Sequence, residues 1–89
     1  MAWKIELTGD ARKQLRKLDK PVAARIFAFL EQCVAVLDNP RTLGEPLHGP
    51  ELHRYWKYRV GNYRIITSIQ DEAITILVVR IGHRREVYR

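Results

Sequence analysis

Arg54-Tyr55-Trp56-Lys57-Tyr58-Arg59-Val60-Gly61-Asn62-Tyr63-Arg64 is the stretch that decides the fold of this chain. Gly61-Asn62 lies between two runs of aromatic and β-branched residues, the composition of a two-residue hairpin turn. Such a turn pairs Val60 with Tyr63, Arg59 with Arg64, Tyr58 with Ile65 and Lys57 with Ile66. Side chains alternate along a strand with period two, so this register sorts the hairpin into two unlike faces. Trp56, Tyr58, Val60, Tyr63, Ile65 and Thr67 form one, a surface to be buried. Tyr55, Lys57, Arg59, Arg64, Ile66 and Ser68 form the other. Like charges directly opposite each other across two strands are destabilising. Arg59 facing Arg64, with Lys57 beside them, is therefore a cost to folding, and a docked polyanion is the simplest reason to tolerate it. An edge strand guarded by charge is the competing explanation.

Upstream, Trp3, Ile5 and Leu7 alternate with Ala2, Lys4 and Glu6, a short half-buried strand. Thr8 is placed to cap a helix whose first turn holds Asp10, where the macrodipole favours negative charge. That helix has a narrow apolar stripe, Ala11, Leu15 and Leu18, among Arg12, Lys13, Arg16 and Lys17. Asp19-Lys20-Pro21 stops it, and Pro21 suits the first turn of a second helix running to about Asp38. Val22, Ile26, Leu30, Cys33, Val34 and Leu37 mark the buried stripe of that helix, which makes Cys33 a core residue. The segment 41–53 is a polar connection punctuated by Gly44, Pro46, Gly49 and Pro50. His48, Glu51 and His53 lie in it without helical spacing, so no metal site is expected there.

Downstream of the hairpin, Gln70-Asp71-Glu72 forms a turn into the apolar run Ile74 to Ile81, a central strand. The element order is β-α-α-β-β-β. It predicts one α+β domain spanning residues 1–89, with a mostly antiparallel four-stranded sheet and two N-terminal helices packed on one face. The basic side of the hairpin is then left to solvent.

Charge distribution points the same way. The 89 residues hold 16 Lys/Arg against 10 Asp/Glu, a formal net charge of +6. Residues 1–45 account for +2 and residues 46–89 for +4, and the cations of the second half all fall within 54–64 and 80–89. Clustered positive charge is the footprint of phosphate binding. No apolar run approaches a membrane span, and the N-terminus lacks signal-peptide order, which predicts a cytosolic protein without membrane attachment. A single cysteine, Cys33, excludes a disulfide framework and a cysteine zinc cage.

No phosphate-cradling glycine loop, zinc-protease helix, nucleophile elbow or calcium loop occurs. Two groups of residues remain: the hairpin cations Lys57, Arg59 and Arg64, and the tail residues His83, Arg84 and Tyr88 after Gly82. Arg80 and Arg85 add charge to the tail, and Tyr55 an aromatic ring to the basic face. These types suit metal-free RNA cleavage, in which the ribose 2′-OH attacks the adjacent phosphate and the 5′-oxygen leaves. Cations stabilise the extra negative charge on phosphorus, a base takes the 2′-OH proton and an acid protonates the leaving group. Arginine does not deprotonate and cannot be the base, whereas His83 or Lys57 can exchange a proton. Tyr88 can stack on a splayed base. No carboxylate is expected beside this face, and no cofactor is implied.

Several segments in a fixed order, Leu37-Asp38-Asn39-Pro40-Arg41, Leu47-His48-Gly49, Tyr55 to Arg64 and Gly82-His83-Arg84-Arg85-Glu86-Val87-Tyr88, resemble the RelE family of bacterial toxins over almost the whole chain. The resemblance implies a small β-sheet endoribonuclease that cuts messenger RNA in the ribosomal A site. It further implies a cognate antitoxin, acidic where it contacts the toxin, and operator DNA bound only through the toxin–antitoxin complex. By that resemblance Lys57 and Arg64 match phosphate-contacting cations, Arg84 an arginine that stabilises charge, and Tyr88 the C-terminal tyrosine. His83 matches a basic position. Tyr55 stands where some members have a second lysine, and the shortened tail leaves Arg84 and Arg85 as alternatives. A ParE-like toxin on the same fold, which inhibits DNA gyrase without hydrolysis, is the competing class, and a non-catalytic RNA-binding module the third.

Overall fold

Gly61 turns with φ +59°, and the strands on either side pair in the register that the turn dictates, from Val60↔Tyr63 and Arg59↔Arg64 to Tyr55↔Ser68. The computed structural model describes residues 2–50, 52 and 54–83. The elements are β1 (Lys4–Leu7), α1 (Gly9–Lys17), α2 (Lys20–Phe29), β2 (Glu45–Pro46), β3 (Tyr55–Val60), β4 (Tyr63–Gln70) and β5 (Thr75–His83). A π-helical turn (Leu30–Val34) follows α2, and a 3₁₀ turn (Pro40–Thr42) leads towards β2. The sheet order is β1-β5-β4-β3-β2. Only the β1–β5 pairing is parallel; the others are antiparallel.

The α+β layout with both helices on one face is as expected, with a fifth strand in place of four. Glu45 and Pro46 pair with Lys57 and Trp56 as a two-residue edge. A strand that short carries no alternation to detect, and its proline removes a ladder donor, so the segment reads as loop in the sequence.

Thr8 joins three elements. Its backbone N–H donates to Val78 O (3.0 Å), and its hydroxyl both accepts from Ala11 N (3.1 Å) and donates to Val79 O (3.3 Å). The cap starts α1 where β1 ends and holds it against β5; such caps are worth about 1 kcal/mol. Beyond the end of β1, the side chain of Gln14 takes over its role as partner of β5, with Oε1 accepting from Ile81 N at 2.6 Å.

The core consists of Ala11, Ile26, Leu30 and Val34 from the helical layer and Tyr58, Ile65, Ile76, Val78 and Ile81 from the sheet. Trp56, Val60 and Tyr63 pack against it, so the predicted apolar face of the hairpin does meet the helices. Thr67, fully buried on that face, donates its hydroxyl to Trp56 O at 2.9 Å. Ile66 is also buried although it lies on the basic face. In register it sits between Lys57 and Arg80.

Cys33 corrects the expectation of a core thiol: it is exposed. The second helix does not continue as one α-helix to Asp38. Ala35 N donates to Leu30 O at 2.8 Å, a bond five residues back. An α-helix advances about 100° per residue, and a π turn holds one residue more per turn, so the phase lags. Val34 and Ala35 swing into the core and Cys33 swings out.

Candidate functional site

β2 begins only at Glu45, opposite Lys57, so the Tyr58–Val60 end of β3 has no β2 residue beside it, and a groove of about 440 Å³ lies there. Lys57, Arg59 and Arg64 line it from the basic side of the sheet, and Phe29, Leu43 and Tyr58 from the helix side. The register explains the cations. Arg59 and Arg64 are directly opposite each other, and Lys57 is two residues along β3 on the same face.

Glu45 also lines the groove, directly opposite Lys57 in the β2–β3 register. Its Oε2 is 3.7 Å from Lys57 Nζ; the lysine side chain is 18% exposed and the glutamate 70%. This overturns the expectation that no carboxylate stands beside the basic face. The only signal for it lay in pairing geometry, since a glutamate in a Gly/Pro-rich connection has no periodicity to place it. Chemically the set is three basic side chains and one carboxylate, and the arginines do not deprotonate, so neither of them can act as a base.

The walls are fixed by one close backbone approach and by side-chain hydrogen bonds. Gly44 has φ +81°, and a Cβ there would collide with Lys57 O, so only glycine lets this turn press against β3. Next to it, Trp56 Nε1 donates to Leu43 O at 2.7 Å. Tyr58 donates its hydroxyl to Pro40 O at 2.7 Å, and burial pushes that hydroxyl well above the usual phenol range. Arg41 grips Asp71 through two 2.9 Å bonds, tying the Pro40 turn to the β4–β5 turn. That hydrogen bonding holds the Asp71 carboxyl below its ordinary value and raises the Arg41 guanidinium.

The other candidates lie elsewhere. Tyr55 shares the basic face, with the Arg54 guanidinium 5.1 Å from its ring centroid. Arg80 pairs with Ile66 and, beside His83, lines a second groove of about 560 Å³ with Gln14, Lys17 and Tyr63. His83 pairs with Tyr63, not Arg64, and so belongs to the core side of the sheet; its ring meets that of Tyr63 edge-on at 5.8 Å. Counting in twos from Ile81 along β5 would have placed it there. Arg84, Arg85 and Tyr88 lie outside the described residues. The structure thus brings Lys57, Arg59 and Arg64 together and sets His83 and Arg80 at a separate groove on the β5 side of the sheet. Among the described residues no group of three His, Cys, Asp or Glu is arranged to hold a metal ion. None of their helices is long and apolar enough to cross a membrane.

Residues 5–88 match the family model described as the ParE toxin of type II toxin–antitoxin systems. Toxin RelG of Mycobacterium tuberculosis is 33% identical over 91 residues, covering 100% of this chain and 99% of that protein. The mRNA interferase toxin RelE of Escherichia coli K12 is 32% identical over 91 residues, covering 99% of this chain and 92% of that protein. Among solved structures, the RelBE2 toxin–antitoxin complex of M. tuberculosis superposes with a TM-score of 0.83 at 29% identity, over 97% of this chain and 95% of that one.

Proposed function

Because the chain belongs to the RelE/ParE family of toxins of type II toxin–antitoxin systems, we propose that it is a ribosome-dependent endoribonuclease that cuts messenger RNA in the A site without a metal ion. The observation that carries this reading is the edge groove, in which three cations and one carboxylate surround a space open to a nucleic-acid strand. The relatives named RelE and mRNA interferase support it.

In the proposed reaction, Glu45 accepts the 2′-OH proton of the nucleotide on the 5′ side of the scissile phosphate. The freed 2′-oxygen forms a bond to phosphorus as the bond to the 5′-oxygen breaks. Lys57, Arg59 and Arg64 stabilise the extra negative charge on the phosphoryl oxygens. The leaving 5′-oxygen takes up a proton, for which the sequence offers Tyr88, since His83 lies at the other groove. The products are a 2′,3′-cyclic phosphate and a 5′-hydroxyl, with no co-reactant consumed. Neutralisation falls to a cognate antitoxin that is acidic where it meets this surface, as the toxin–antitoxin complexes among the structural relatives suggest. Operator DNA is bound only by the pair, and the protein acts in the cytoplasm.

Mapping RNA ends on programmed ribosomes tests this. Cuts within A-site codons are expected, and Arg64→Ala is expected to slow them about 100-fold or more while the fold and antitoxin binding persist. The family model's ParE name favours a second reading, inhibition of DNA gyrase by binding alone. Intact transcripts together with arrested gyrase would establish it in place of the first.

A further inference from the structure

The edge groove is amphipathic, and phosphate chemistry uses only half of it. The cations and Glu45 occupy the side continuous with the basic face. The opposite wall is formed by Phe29 and Leu43, together with the nearly inaccessible Tyr58. Leu43 stays 39% exposed here, an apolar side chain standing at the mouth of a charged groove. Its backbone is pinned by the Trp56 bond to its carbonyl, and the neighbouring glycine is pressed onto β3. Tyr58 is 1% exposed and backs this wall, its hydroxyl spent on Pro40 O. Phe29 stands edge-on to the Tyr58 ring with centroids 6.2 Å apart. The wall is therefore rigid before anything binds, which lowers the ordering cost of binding.

We propose that this wall is a base-binding subsite. It takes the nucleobase on the 5′ side of the scissile phosphate, the nucleotide whose 2′-OH faces Glu45. The proposal rests on the nuclease reading and adds to it the residues that hold the base. Three features select a nucleobase over a peptide side chain as the occupant. The apolar wall is continuous with three cations, matching the base-and-phosphate character of a nucleotide. The whole groove, cationic and apolar sides together, holds about 440 Å³, in the range of small-molecule sites. Leu43 is only two residues from Glu45, so the base and the 2′-OH of one nucleotide fall to one short segment. Contact with aromatic and aliphatic faces tolerates any base, since every base has a π-face.

The test is a single-turnover assay on programmed ribosomes with two messages, one intact and one with an abasic residue on the 5′ side of the cleaved phosphate. Wild type is expected to cut the abasic message slower by on the order of tenfold or more, the usual value of one base contact. Leu43→Ala should lose a similar factor on the intact message and little more on the abasic one, because the two changes remove the same contact. Leu43→Met, which keeps the volume, should restore most of the rate and so exclude a folding defect. Equal wild-type rates on both messages, or losses that multiply in full, overturn the subsite and leave the nuclease reading standing. A Leu43→Ala variant that cuts normally but no longer binds antitoxin assigns the wall to the protein partner instead and also overturns it. Wild type that cuts neither message overturns the nuclease reading and the subsite with it.

Discussion

Tyr58 shows how much one side chain can fix. It is 1% exposed, closes the core from the sheet side and supplies one wall of the edge groove. Tyr58→Phe removes its hydrogen bond and leaves the Pro40 carbonyl without that donor. The expected loss is about 1–3 kcal/mol in urea denaturation. Burial also raises the phenol above its ordinary value of 10.0. The folded protein therefore keeps this proton at pH values where the unfolded chain has lost it. The sign follows: the stabilisation is full below about pH 10 and falls as pH rises further, because the unfolded state then binds fewer protons. Tyr58→Phe should lack that part of the alkaline decline, as urea midpoints measured on either side of pH 10 would reveal.

At the scale of elements, the hairpin was legible and the segments around it less so. Gly61-Asn62 fixes a register, and a register fixes both faces, so local chemistry alone placed Lys57, Arg59 and Arg64 on one side. Thr8 as a cap and Pro21 in the first turn of α2 were legible for the same reason: each acts on its immediate neighbours. Glu45 was not, because a two-residue strand exists only through its partner β3. Cys33 was misplaced because the period of 3.6 was carried through a turn that does not keep it. A π turn is a tertiary compromise, and the stripe Ile26, Leu30, Cys33 continues unbroken in the sequence. The exposed thiol gives a direct test. Cys33 should react with a thiol reagent in the native protein nearly as fast as in urea, whereas a regular α-helix through this segment would bury it and slow the reaction.

For the whole molecule, the relevant quantity is where its charge of +6 sits. If the groove neutralises up to three phosphates of a single strand, binding of a non-cleavable 2′-deoxy oligonucleotide should weaken with salt at a slope of about −2 in log K against log[salt]. Arg64→Ala should reduce that slope by about 0.7. A slope near zero would mean that the strand is not held by its phosphates.

At the far rim of the sheet, the amide of Ile81 is already engaged by Gln14. A sixth strand arriving beside β5 would have to evict that carboxamide before its own backbone could bond there. The short helix thus acts as a stopper at this point of the rim, where β1 no longer flanks β5.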